Sequence, residues 1–180
     1  MKIAILLADG FEEIEALTPV DLLRRANLDI DLIGIEKAVI TGAHEIKITA
    51  DIISCDADIS IYDAVILPGG MPGTLNLDKS DFTDKILNSV IAKNGRIAAI
   101  CAAPLILGKR GLLKDKEAIC YPGFEDTMAG ATYTAAKVTA DGNIFTACGP
   151  GAAWELGFTF VEHFCGALKA DELRKGMQFN

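Results

Sequence analysis

Residues 96–104 read Arg-Ile-Ala-Ala-Ile-Cys-Ala-Ala-Pro, a strand-like apolar run that arrives at one thiol. A nucleophile on a sharp strand-to-helix turn needs small neighbours so that the backbone can fold tightly behind it. Cys101 is followed by Ala102 and Ala103, and Pro104 suits a first helical turn, where its missing N–H costs nothing. Unpaired N–H groups and the positive helix end at such a turn favour the thiolate. The pattern resembles the G-x-S-x-G nucleophile elbow without matching it. A cysteine simply packed in the core, the usual place for a free thiol, fits the same segment. Both readings stay open on these residues alone.

A nucleophile needs a group that moves protons. The segment Gly10 to Asn27 carries acids at 12, 13 and 15 ahead of a periodic apolar run. At about 100° per residue, Glu15 falls with Ala16, Pro19, Leu22, Leu23 and Ala26 on the face that must lie against a sheet. Glu13 projects towards Val20, and Asp21 and Arg25 lie opposite the core. A carboxyl on a core face is costly unless hydrogen-bonded, and desolvation raises its pKa. Glu15 is therefore the acid expected to point inward, protonated beside a thiolate and serving as proton carrier. Glu12 and Glu13 suit a capping or surface place at the helix start. Pro19 deprives the Glu15 carbonyl of its donor, which predicts a kink, or a restart with Thr18 as cap. Ile14, on the outer face, marks a candidate contact for a second subunit.

The remaining sulfur and imidazole groups have weaker contexts. Cys148, in Ile-Phe-Thr-Ala-Cys-Gly-Pro-Gly, also runs from strand towards helix, but Gly149, Pro150 and Gly151 predict a longer loop and a structural role. Cys120 would approach Cys101 if both strands ended on one edge; core packing is the expectation for it, as for Cys55 and Cys165. Five cysteines without a C-x-x-C pair or an export-signal pattern predict reduced thiols and a cytoplasmic protein. His44 and His163 stand at no metal-ligand spacing with Cys or Asp, so no metal is expected.

The elements that must position these groups alternate. Strand-like runs at 2–8, 29–35, 63–70 and 95–101 interleave with helical stretches at 12–26, 80–94 and 103–111. Short strands are predicted within 46–53 and near 117–121, 136–140 and 143–147, with helices at 150–168 and 170–177. Near-continuous apolar strands between helices imply a mostly parallel sheet covered on both faces, an α/β sandwich in one domain over 1–180. In such sheets ligand chemistry gathers at the carboxyl ends of the strands. Three turns qualify: Asp9-Gly10, Gly69-Gly70 and Cys101. None has a phosphate-binding signature, for the chain lacks both G-x-G-x-x-G and G-K-[ST].

Composition narrows the partners. A formal charge of −8 disfavours nucleic acid and anionic membrane. The opening Met-Lys-Ile-Ala-Ile-Leu-Leu-Ala is too short for a signal peptide or a membrane span and reads as a buried strand. Half of the residues are hydrophobic and 23% charged, a globular balance.

Four segments, LLADGFEEIEALTPVDLLRRA, AVILPGGMPG, IAAICAAP and GPG, occur in an order and spacing that resemble the ThiJ/PfpI superfamily, in particular its ThiJ branch. The resemblance covers about residues 2–168. It implies a flavodoxin-like, class I glutamine-amidotransferase-like sandwich, no cofactor, and a homodimer. It places Cys101 at the elbow and Glu15 as its hydrogen-bonding acid. Backbone N–H groups of Gly69, Gly70 and Ala102 would face the reacting oxygen, and Gly149 and Pro150 would line the pocket, in dimers from the neighbouring subunit. The activities it implies are a glutathione-independent glyoxalase and a protein deglycase, with a small aldehyde or a glycated protein as partner. The alternative is a redox-responsive or chaperone-like protein whose cysteine becomes a sulfinic acid. The peptidase branch has histidine after the cysteine; Ala102 stands there, which removes the base of a protease. Many ThiJ members carry a histidine about twenty residues downstream, where this chain has Tyr121, a poor base at neutral pH.

Overall fold

The computed structural model describes residues 1–179. In chain order the elements are β1 (Lys2–Leu7), α1 (Glu13–Arg25), β2 (Asp29–Gly34), β3 (Val39–Thr41), β4 (Lys47–Thr49), β5 (Ile52–Ile53), β6 (Ala64–Leu67), α2 (Gly73–Lys79) and α3 (Asp81–Ala92). There follow β7 (Arg96–Ile100), α4 (Pro104–Lys109), β8 (Glu117–Ala118), β9 (Thr132–Tyr133), β10 (Val138–Asp141), β11 (Ile144–Ala147), α5 (Ala153–Cys165) and α6 (Ala167–Gly176). Seven strands form the main sheet in the order β10-β11-β7-β6-β1-β2-β5, and only β10 runs antiparallel to its neighbour.

The central strands are apolar at successive positions because each side of the sheet is covered. Ile3, Ile5 and Leu7 of β1 face one layer with Ala16, Val20 and Leu23 of α1 and Leu156 and Phe160 of α5. Ala4 and Leu6 face the other with Leu77 of α2, Ile86 and Val90 of α3 and Ile106 of α4. Strand periodicity of two sends alternate residues to opposite layers, so every position must be apolar. At about 25 cal/mol per Å², each fully buried Ile or Leu contributes about 1.5–3 kcal/mol.

The region 46–53 holds the short strands expected there, β4, which pairs with β3 in a separate hairpin, and β5 at the edge of the main sheet. Two sequence expectations need correction. The turn after β6 runs into a further helix, α2, where Gly73 and Asn76 mask any helical signal. Leu77 and Thr74 bury there, and the Asn76 amide donates to the Asp9 carbonyl at 2.8 Å. Finally, α1 continues through Pro19 without a restart, and Thr18 caps nothing. Its apolar face packs so closely on α5 that a methyl group on Gly157 would meet Leu22 Cδ1 at 2.5 Å. That burial outweighs the one hydrogen bond lost at proline.

Candidate active site

Cys101 follows β7 at the carboxyl edge of the sheet, beside the ends of β6 and β11. Its backbone sits at φ +65°, a left-handed conformation that costs a non-glycine residue about 1–2 kcal/mol. Two hydrogen bonds fix it. The Cys101 N–H donates to the Ala147 carbonyl of β11 at 2.9 Å, and the Tyr121 N–H donates to the Cys101 carbonyl at 2.8 Å. The chain then turns into α4 with Pro104 in its first turn, as the sequence predicts. Burial pushes the pKa of the half-buried thiol up, and the N–H groups of Ala102 and Gly70 that meet the sulfur oppose this only in part.

Glu15 points inward from α1 and is fully buried. Its Oε2 accepts the Gly69 N–H at 2.8 Å, and Oε1 is buried without a hydrogen-bond partner. Burial raises the Glu15 pKa to about 7, while contact with the Cys101 thiol and the Gly69 N–H work the other way. Gly69 separates the two groups. A Cβ there would lie 2.6 Å from Glu15 Oε2 and 2.7 Å from the Cys101 Cβ, so only glycine lets acid and thiol approach.

The two groups are in contact and couple electrostatically. Burial raises the Cys101 pKa, and an ionised Glu15 raises it further. With Glu15 protonated that repulsion vanishes, and the carboxyl can donate to sulfur while two N–H groups also point at it. A neutral Glu15 thus favours the thiolate more than an ionised one does, and the helix end is not the only influence on the sulfur.

Other expected residues take different places. Gly69 was expected to offer its N–H to a reacting oxygen; that N–H is bound to Glu15, and its carbonyl accepts from Glu12 N–H at 2.9 Å, tying the glycine turn to α1. The N–H groups of Gly70 and Ala102 instead point at the Cys101 sulfur. Tyr121 is 46% exposed. It reaches the elbow through its backbone, and its ring edge lies beside Gly149, where a Cβ would sit 3.1 Å from Tyr121 Cδ2. Gly149 and Pro150 lead into a short 3-10 turn ahead of α5. Ile14 is 51% exposed on the outer face of α1. A cavity of about 410 Å³, lined by Asp9, Lys37, Asn76 and Lys79 among others, does not include Cys101.

Glu13 differs most from expectation. It is buried, accepts the N–H groups of His44 at 2.9 Å and Ile46 at 3.4 Å, and contacts His44 Nδ1 at 2.9 Å. It thereby holds the 42–46 loop against the start of α1. Burial alone would raise its pKa, but the His44 ring and the backbone donors keep it below the usual carboxylate value. The Glu13 hydrogen bond and the charges of Glu12 and Glu13 raise His44. Ligating atoms of Glu12, Glu13 and His44 lie within 4.8 Å of one another. Thirty-one residues separate Glu13 from His44, so spacing gave no signal of the pair. Thr146 was also missed. Its buried Oγ1 accepts the Ile119 N–H at 2.9 Å, anchoring the segment that carries Tyr121 to β11.

A cysteine elbow facing a buried acid across a glycine turn, on a doubly covered parallel sheet, defines a class to which this chain belongs: the DJ-1/PfpI family, whose model matches residues 1–163. The elbow, the turn and α1 all lie in that range. The chain is 38% identical over 175 residues to protein DJ-1 homolog B of Arabidopsis thaliana, covering 96% of itself and 40% of that longer protein. It is 30% identical over 165 residues to a protein named a deglycase from Pyrococcus abyssi, covering 90% of itself and 98% of that chain. The solved structure of Drosophila melanogaster DJ-1beta superposes with a TM-score of 0.94 at 31% identity, covering 99% of this chain and 98% of that one. The fold is the flavodoxin-like sandwich, and no helix among the described residues is long and apolar enough to cross a membrane.

Proposed function

We propose that the protein is a cysteine-dependent enzyme of the glyoxalase and deglycase type, acting on 2-oxoaldehydes such as methylglyoxal or on their early protein adducts. The observation that carries this reading is the buried Glu15 carboxyl, raised to about 7, facing a thiol on a strained elbow with the Gly70 and Ala102 N–H groups beside it. A carboxyl near neutrality can both give and take a proton at working pH. The deglycase name of the Pyrococcus relative supports the same chemistry.

In this mechanism the Cys101 thiolate adds to the aldehyde carbon, and the Gly70 and Ala102 N–H groups stabilise the oxyanion, which takes a proton to become a hemithioacetal. Glu15 as carboxylate removes the proton from the former aldehyde carbon and returns it to the adjacent carbon as the ketone oxygen becomes a hydroxyl. The product is a thioester of a 2-hydroxy acid, which water cleaves to free acid and thiol. No glutathione enters and no net oxidation occurs. Purified protein should convert methylglyoxal to lactate without glutathione, and Cys101→Ser should abolish the conversion. Equal lactate from both proteins would refute the reading.

A second reading, a redox-responsive stress protein or chaperone, rests on the buried Glu15 carboxyl in contact with the Cys101 thiol, which could bond an oxygen added to the sulfur. We also read the enzyme as a cytoplasmic homodimer, in keeping with its free cysteines, with Ile14 at the contact and Gly149 and Pro150 serving the neighbouring site. Ile14→Glu should then halve the molecular mass measured by light scattering.

A further inference from the structure

Cys148 has no part in the aldehyde chemistry, yet it stands beside the elbow. Strands β7 and β11 are parallel neighbours whose last paired positions are Ile100 and Ala147, so Cys101 and Cys148 are the first residues past each strand end. The Cys101 N–H to Ala147 carbonyl bond closes the ladder at this point. Neighbouring strands lie about 4.8 Å apart, within the range of about 4.4–6.8 Å between Cα atoms that a disulfide spans. Both side chains are half-buried and pack against the same apolar cluster, on the α1 and α5 face of the sheet. Cys120, also near the elbow through Tyr121, is fully buried in the opposite layer. Cys55 and Cys165 are exposed and belong to neither cluster.

We infer that Cys148 is a resolving thiol, which closes a reversible disulfide with Cys101 after a hydroperoxide has oxidised the elbow. The step rests on Cys101 being the reactive thiol of the proposed enzyme, and not on turnover of any aldehyde. The Cys101 thiolate attacks one peroxide oxygen. The O–O bond breaks, the sulfur keeps the hydroxyl as a sulfenic acid, and the other oxygen leaves as hydroxide, which takes up a proton. Cys148 then attacks the sulfenic sulfur, the S–O bond breaks, and water departs with the Cys148 proton. The two sulfurs lose two electrons and the peroxide gains them. A tethered thiol in register acts at high effective concentration and outcompetes a second peroxide, which would otherwise drive Cys101 to a sulfinic acid that thiols cannot reduce.

The bond would block the nucleophile and be undone by a thiol reductant. The test is hydrogen peroxide at one to a few equivalents, then alkylation of free thiols and peptide mapping without reduction, with the unmodified protein as first sample. The expected product has lost about 2 Da, with the peptides of Cys101 and Cys148 joined and full recovery on dithiothreitol. In Cys148→Ser, which should turn over methylglyoxal normally in reducing buffer, Cys101 should instead gain two oxygens, about 32 Da, and not recover. Two oxygens on Cys101 of the unmodified protein with Cys148 still alkylated would overturn the inference, as would a bond to Cys120. Either result would leave Cys101 established as reactive. No oxygen and no bond at Cys101 would overturn both this inference and the nucleophile reading beneath it.

Discussion

Glu15→Gln separates the stabilising and catalytic consequences of the buried acid. Glutamine keeps the shape, an oxygen for the Gly69 N–H and a donor for sulfur, but it never ionises. In the folded protein Glu15 gives up its proton at about 7, against an ordinary 4.5. A raised carboxyl means that the folded state binds a proton the unfolded chain has already lost. The Glu15 contribution to stability therefore falls as pH rises from about 4.5 through about 7, and its full penalty is present above that. The gap between 4.5 and about 7 corresponds to about 3 kcal/mol. Below pH 4.5 both proteins carry a neutral side chain and should be about equally stable. Above pH 7 the glutamine variant should be the more stable by up to about 3 kcal/mol, or roughly 6–12 °C in Tm for a chain of this size. Its glyoxalase rate should meanwhile fall by about 10²–10⁴, since the proton carrier is gone. Urea unfolding of both proteins at several pH values between 4 and 8.5 reads the difference directly, because every other titrating group is common to the pair. A stability difference that stays flat across this range would refute the assignment of a raised pKa to Glu15, whatever the activity does.

Gly69→Ala places a methyl group between Glu15 and Cys101, and should cost about 1–3 kcal/mol in denaturant unfolding and remove most lactate formation. Gly157→Ala presses α5 away from Leu22 of α1, and should lower stability by a similar about 1–3 kcal/mol while Cys101 alkylation changes little. Tyr121→Phe keeps the N–H that supports the elbow, and kcat should stay within about threefold of wild type; a loss of about 10²-fold or more would make the phenol a catalytic acid or base.

Much of the frame is legible in the chain. Runs such as Ile3 to Leu7 and Ile97 to Ile100 are apolar at every position because both sheet faces are covered, and this pattern alone implies a parallel, doubly covered sheet. Helical periodicity likewise turns Glu15 inward and leaves Ile14 outside. Small residues around Cys101 announce a tight turn. These are local properties, set by backbone geometry and by the repeat of each element.

What the chain could not disclose is non-local. Glu13 looked like a surface acid because a helix wheel knows nothing of the 42–46 loop that folds over it. Gly69 looked like an oxyanion donor until Glu15, 54 residues earlier, took its N–H. The continuous course of α1 past Pro19 depended on how closely α5 approaches at Gly157. The nearness of Cys148 to Cys101 followed from which strands became neighbours and in what register. The sequence by itself determined the layers and the inward acid, since both follow from short-range periodicity, and it marked a tight turn at Cys101 through its small neighbours. Only the tertiary structure decided which acid contacts the thiol and which strand ends lie side by side. Burial and contact across the sheet set those pairings, and neither is written in the spacing of residues along the chain.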